Sequence, residues 1–181
     1  MAAFATVTLL EDRLQTDLDA TDSNRALQLL DAATGLIKRE ARQHIEQVVD
    51  DVIVLPPTGT NTLLLPELPV TAVTSVVVDG LTLSAVNDYT VLFDSGVVRL
   101  RQPRWRRWLH DTTVTYTHGY ATVPDDLVGL CVEMSARAWV NPRGVASEQI
   151  GTYSARYITG KPGLVLLEHE EQLVRSYRPK P

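Results

Sequence analysis

The 181-residue chain carries a formal net charge of −5 at neutral pH, and 44% of its residues are hydrophobic. This length and composition can bury one core of ordinary size and favour a single domain. The acidic balance argues against a general nucleic-acid binder, because such proteins need a strongly basic face to displace the counterions around phosphates. The one cysteine, Cys131, cannot form an internal disulfide, so a disulfide-stabilised secreted scaffold is not expected.

Membrane and export signals are not expected in this sequence. The apolar runs are all shorter than a membrane span, and the N-terminus lacks the basic start and apolar centre of a signal peptide. The sequence therefore predicts a soluble protein of the cytoplasm without a cleavable export signal.

Two helices are predicted in the N-terminal part, over about residues 8–48. Thr8 and Glu11 have the spacing of a capping box, and a short helix is expected to follow them. A longer amphipathic helix is predicted from Ala26 to Val48, because its apolar residues recur at steps of three and four. A solvated, helix-capping linker is expected between the two helices, since its aspartates lack the order of a calcium-binding loop. These aspartates are Asp17, Asp19 and Asp22.

A compact antiparallel β unit is predicted over about residues 52–118, where short β-branched runs alternate with turn residues. Asp79–Gly80 and Ser95–Gly96 are predicted hairpin turns, because glycine adopts positive φ without steric cost. Prolines confine the first strands to edges or bulges, since proline cannot donate to a strand ladder. These prolines are Pro56, Pro57, Pro66 and Pro69.

A third helix is predicted over about residues 124–141, because Pro124 and two aspartates favour a helix start and Asn141–Pro142 favours its end. A polar loop over residues 142–162 follows, and a last helix with the C-terminal tail occupies residues 163–181. The order of elements predicts an α+β fold, with a helical core of about four helices and an antiparallel β unit inserted in the middle third. We expect all 181 residues to form one domain.

Residues that could perform catalysis or bind a metal form no complete motif. The segment at Gly160–Lys161 lacks the first glycine and the hydroxyl residue of a phosphate-binding loop. Ser95 and Ser154 lack the glycine-flanked elbow of a hydrolase, and Cys131 lies on an apolar helical stripe typical of a core. The histidines lack metal-ligand spacing and are expected at surface or strand-end positions. They are His44, His110, His118 and His169.

The sequence therefore predicts no enzyme, no cofactor and no metal site. An enzyme with a dispersed active site stays an alternative. It would require a cleft that gathers residues such as His118, Asp125 and Glu148.

The segment RLRQPRWRRW, residues 99–108, is an unusual basic and aromatic cluster. Its side chains could anchor a protein interface, cover one another in a solvated loop, or stack on bases and bind phosphates. The acidic balance of the chain ranks the protein interface first and nucleic acid last. The residues of this second candidate interface are Arg104, Trp105, Arg106, Arg107 and Trp108.

Five segments, in this order along the chain, carry a family resemblance: NRALQLLDAATGLIKREA, TLLLPELPVTAVTSVVVDG, DYTVLFDSGVVRL, VTYTHGYATVPDDLVGLCVEMSARAW and NPRGVASEQIGTYSARY. Together they resemble the head-to-tail connector, or adaptor, proteins of tailed bacteriophages, from about Ala20 to Tyr157. The resemblance implies a structural virion protein that forms a ring, usually of twelve copies, below the portal protein. Such a ring lies in the neck of the virion, is assembled in the host cytoplasm and extends the DNA channel.

The same resemblance implies partners and a docking segment. The partners are the portal protein, head-closure or tail components, and further copies of the chain, while packaged double-stranded DNA passes without specific binding and no membrane is involved. SEQIGTYSARY, residues 147–157, could add as a strand to the exposed sheet edge of a partner. The expected contact residues are Gln149, Ile150, Gly151, Thr152, Tyr153 and Tyr157, with Arg178 nearby. The Arg/Trp cluster departs from the family pattern.

Overall fold

The computed structural model describes residues 3–56, 60–101, 111–142, 147–150, 153–156 and 164–179. Contacts group the chain into two compact units, one of residues 1–41 with 123–177 and one of residues 42–122 with 178–181. The first is the helical unit and the second is the β unit. This arrangement confirms the predicted α+β fold, while the single-domain organisation stays a prediction.

The helical unit contains four helices within the described part of the chain. They are α1 Val7–Leu14, α2 Ala20–Ala41, α3 Asp125–Val140 and α4 Glu168–Ser176. Helix α3 packs against α1 and α2, and α4 packs against α2. The apolar stripe predicted for α3 is buried as expected. Its members are Leu127, Leu130, Cys131, Met134 and Ala138.

The first helix begins earlier than the sequence predicted. Thr6 is its N-cap, and the Thr6 side chain accepts a hydrogen bond from the Leu9 N–H at 3.4 Å. The predicted capping box of Thr8 and Glu11 is therefore wrong. Thr8 lies within the helix, and the Glu11 carboxylate accepts from the Leu18 N–H at 3.1 Å instead.

The second helix is displaced towards the N-terminus relative to the prediction. It begins at Ala20 because Asp19 Oδ1 accepts hydrogen bonds from the N–H groups of Thr21 and Asp22, each at 2.8 Å. This confirms the capping role predicted for the acidic linker. The expected continuation to Val48 is wrong, because the helix ends at Ala41, and Arg42 adopts a left-handed conformation with φ of 56°.

The β unit contains seven strands within its described residues, in two sheets whose strand pairs are all antiparallel. The strands are β1 Val48–Leu55, β2 Thr62–Leu64, β3 Val70–Val78, β4 Leu81–Thr82, β5 Tyr89–Leu92, β6 Val97–Leu100 and β7 Thr112–His118. The large sheet has the order β1-β7-β3-β4 and the small sheet the order β2-β6-β5. β1 and β2 are edge strands, as the neighbouring prolines predicted.

The inner faces of the two sheets pack on one shared apolar core. The large sheet contributes Val76, Val114 and Tyr116, and the small sheet contributes Leu63 and Val98, all buried. The outer faces of the two sheets consequently point away from each other.

Both predicted hairpin turns are confirmed. Asp79 and Gly80 connect β3 to β4 with φ of 52° and 74°. Gly96, with φ of 61°, ends a short 3₁₀ turn over Phe93–Ser95 between β5 and β6.

Candidate partner-binding site

The docking segment predicted from the sequence, residues 147–157, contains two short paired strands in its described part. β8 spans Ser147–Ile150 and β9 spans Tyr153–Arg156. They pair antiparallel, with Ser147 opposite Arg156 and Ile150 opposite Tyr153. Gln149, Ile150 and Tyr153 therefore lie on one two-stranded sheet, whereas Gly151, Thr152 and Tyr157 lie outside the described residues.

A two-stranded hairpin of this size is marginally stable in water without further packing or pairing. Among the described strands, β8 and β9 pair only with each other, so each presents one outer edge without a strand partner. Such an edge can accept main-chain hydrogen bonds from another sheet. The hairpin therefore has the geometry for strand addition.

The chain on either side of this segment is held by Arg137, which lies one turn before the end of α3. Its guanidinium donates to both carboxylate oxygens of Glu170 on α4, with the Nη2–Oε2 distance at 2.8 Å. Arg137 Nη2 also donates to the Val165 carbonyl at 3.2 Å, and Glu170 Oε2 accepts from the Leu167 N–H at 2.8 Å. One side chain thus connects the helix that precedes the segment to the residues that follow it.

This ion pair is largely removed from water, since 22% of the Arg137 side chain and 7% of the Glu170 side chain are exposed. Burial by itself raises the pKa of Glu170. The hydrogen bonds from Arg137 and from the Leu167 N–H outweigh this effect, and they hold the pKa of Glu170 below its ordinary value. The carboxylate is therefore charged and paired at neutral pH.

Further polar contacts hold α4 on the helical unit. Arg175 Nε donates to Glu40 of α2 at 2.8 Å, and its Nη2 donates to Glu171 at 2.8 Å. The Tyr177 hydroxyl lies 2.7 Å from each carboxylate oxygen of Asp126 at the start of α3. The C-terminal helix is therefore attached to both α2 and α3.

A cavity of about 360 Å³ lies between α2 and the residues that lead into α4. Leu36 and Arg39 line its α2 side, and the segment 164–166 lines the opposite side. The cavity therefore borders the polypeptide that follows the docking segment.

The second candidate interface lies outside the described residues, since residues 102–110 include all five members from Arg104 to Trp108. Its flanking arginines are described. Arg99 is exposed on β6, and Arg101 Nε donates to the Tyr89 carbonyl at 3.4 Å. Arg178, predicted near the docking segment, lies directly after α4 and is half-buried.

Residues of the enzyme alternative lie on three different elements of the described structure. His118 ends β7 and is buried, with Nε2 3.3 Å from Asp51 Oδ2. His118 therefore occupies a strand-end position, and the described histidines His44 and His169 are exposed, so the expectation of surface or strand-end positions is confirmed for these three. Asp125 lies in the first turn of α3, and Glu148 lies on β8.

Cys131 behaves as the core residue predicted from its helical stripe. It is buried, and its Sγ lies 3.6 Å from Thr34 Oγ1. Burial raises the pKa of the thiol, which disfavours the reactive thiolate. Within the described ranges, no group of three or more potential metal ligands is found. No described helix is long and apolar enough to cross a membrane.

The described part of the chain thus contains a packed helical unit, a β unit and a short hairpin between two anchored chain segments. Residues 9–179 match the model of the head completion protein family. The chain belongs to this family, and the resemblance to phage head–tail connector proteins is thereby confirmed. The chain is therefore a structural protein of the head–tail junction.

Solved structures of gene transfer agent (GTA) particles contain chains with a similar fold. A chain in the neck of the empty particle, computed with C6 symmetry, is 17% identical, with a TM-score of 0.52, and the match covers 97% of this chain and 89% of that chain. A chain in the virion of the native particle is 15% identical, with a TM-score of 0.54 and the same coverage. A chain in the native neck, computed with C12 symmetry, is 14% identical, with a TM-score of 0.52 and coverage of 100% and 94%. No curated protein matches the chain.

Proposed function

We propose that the chain forms a twelve-membered ring in the virion neck, between the portal and the head-closure or tail components of a tailed phage. Membership of the head completion family supports a role at the head–tail junction. The twelvefold neck that contains a chain of similar fold supports the copy number. The ring extends the channel through which double-stranded DNA passes, and it requires no catalytic group or cofactor.

The docking segment is proposed to bind the portal by strand addition. The observation that carries this proposal is the β8–β9 hairpin, which is small, has unpaired outer edges within the described strands, and lies between chain segments connected by Arg137. Anchoring both ends reduces the conformational entropy lost when the hairpin binds, and main-chain hydrogen bonds supply affinity without a special side chain.

Co-sedimentation with the portal ring of the same phage tests this role. The native chain is expected to sediment with the portal. A variant in which a Gly/Ser segment of the same length replaces residues 147–157 is not expected to do so. V86E is the matched control, because Val86 is 76% exposed in the β unit and belongs to neither candidate interface. Equal binding of all three proteins would contradict the proposed docking segment.

The nucleic-acid alternative is tested in parallel with double-stranded DNA. An adaptor whose channel passes DNA without specific binding is expected to show weak binding that R104S/R106S/R107S leaves nearly unchanged. Tight, salt-sensitive DNA binding that this triple substitution abolishes would favour the alternative.

A further inference from the structure

The outer face of the small sheet presents a row of apolar side chains across all three strands. Leu64 of β2 and Leu92 of β5 both lie opposite Val97 of the central strand β6. The two leucines are 52% and 51% exposed. Arg99, two residues along β6, is exposed on the same face. We call this surface the leucine row.

The outer face of the large sheet presents a second, different apolar surface at its β1 edge. Val52 and Val54 are 61% and 60% exposed, and their cross-strand partners are the uncharged residues Thr115 and Thr113. Asp50 precedes Val52 in β1, within the bulged stretch between Val48 and Asp51, and its carboxylate accepts from the Thr74 hydroxyl at 2.6 Å. We call this surface the valine face.

The outer faces of an isolated sandwich are expected to be polar, with apolar residues turned towards the core. Here both outer faces expose aliphatic side chains in neighbouring positions, and they lie on opposite sides of one core. Apolar groups clustered on a surface are typical of protein contacts. Two such surfaces on opposite sides of one unit therefore indicate two contacts.

The two surfaces differ in their side chains and in the charge beside them, which indicates a heterologous contact. A closed ring joins each copy to the next through two different patches, whereas a twofold dimer uses the same patch twice. The leucine row has Arg99 beside it and the valine face has Asp50 beside it, so their charges are complementary. A twofold contact between two leucine rows would instead bring the Arg99 side chains of the two copies together, and a contact between two valine faces would bring the Asp50 side chains together.

We propose that the leucine row of one copy packs on the valine face of the next copy, and that this contact closes the ring. The occupant of each surface is thus a second copy of this chain. The inference rests on the proposed ring function and adds the surfaces that join its subunits. The proposed contact between copies does not use the docking segment, which stays available to bind the portal.

Disulfide trapping with L92C and V54C tests the contact. Within one copy these two cysteines lie on opposite outer faces of sheets that stack about 10 Å apart, so they cannot meet at disulfide distance. Rings of the double variant, assembled on the portal and confirmed by native mass spectrometry, are expected to give a ladder of covalent oligomers on oxidation. Each single variant is expected to stay monomeric on a denaturing gel, as is the control pair L92C/V86C.

Other results would overturn the proposal. A native-mass ring that gives no ladder would show that other surfaces join the subunits, although the ring function would stand. Dimers formed by L92C alone would indicate a twofold contact. If the native chain formed no ring with its portal, this result would contradict the proposed function itself.

A second pair of variants applies if the double-cysteine chain fails to assemble. L64E places a charge in the leucine row, and V86E places one on an exposed site outside both surfaces. Loss of the ring with L64E alone, with unchanged circular dichroism of the monomer, supports the contact. Equal assembly of L64E and V86E overturns it.

Discussion

Arg137 of α3 and Glu170 of α4, 33 residues apart in the chain, form a two-bonded ion pair that is largely buried. The same guanidinium donates to the Val165 carbonyl. The residues before and after the docking segment are therefore in direct contact. The ion pair thus attaches both chain segments that flank the hairpin to the helical unit.

Replacing Arg137 with alanine is expected to destabilise the folded chain by roughly 3 kcal/mol, because the substitution leaves a buried carboxylate without its partner. The free energy of unfolding, measured in urea, checks this value. E171A is the matched control, because Glu171 belongs to the exposed pair with Arg175 and this substitution should cost much less stability. Equal losses for the two variants would contradict the role given to the buried pair.

Acid should weaken the same contact. The pKa of Glu170 is lower in the folded chain, so its contribution to stability is complete above its ordinary value of 4.5 and is lost as the pH falls through the lower folded value. The native chain is therefore expected to lose more stability than E170Q between neutral pH and this acidic range. Urea unfolding of both proteins across that range measures the difference, and parallel curves would refute the assignment.

Gly119 should not tolerate a side chain. Its φ is 84°, and an added Cβ would meet the Glu46 backbone, with the Glu46 carbonyl carbon at 2.8 Å. G119A is expected to destabilise the chain by roughly 2 kcal/mol or more, since neither the conformation nor the contact can be relieved by a side-chain movement. G129A is the matched control, because open space surrounds that helical position and alanine should stabilise α3 by up to about 1 kcal/mol. Thermal unfolding of both variants checks the opposite signs.

Cys131 should react with Ellman's reagent only when the helical unit opens. The thiol is buried and its pKa is raised by that burial, so both access and thiolate formation are disfavoured in the folded chain. The time course of absorbance should show that the coloured product of the reagent is released slowly from the native protein and rapidly in denaturant. L92C adds an exposed thiol as an internal comparison, and one fast equivalent is expected from it. Fast reaction of native Cys131 would contradict the packing described for α3.

Local sequence signals predicted the parts of the fold that depend on neighbouring residues. The turns at Asp79–Gly80 and Ser95–Gly96 follow from backbone preferences, and the start of α3 follows from Pro124 and its aspartates. The end of α2 could not be placed, because Ile45 and Val48 continue the helical spacing of apolar residues. Ile45 is buried outside the helix, while Val48 begins β1.

Contacts between distant residues could not be read from the sequence. In the sequence Glu170 is one of two adjacent glutamates, and no local feature identifies Arg137 as its partner. The leucine row likewise depends on the register of three strands, which places Leu64, Val97 and Leu92 side by side. The family resemblance supplied the docking segment, and the structure adds its pairing and its anchors.

Native mass spectrometry of the chain mixed with its portal ring tests the central claim most directly. The account predicts one complex of a portal ring with twelve added copies, and loss of that complex when residues 147–157 are replaced. A chain that remains monomeric beside an intact portal ring, under conditions where the portal binds its other neck components, would contradict it.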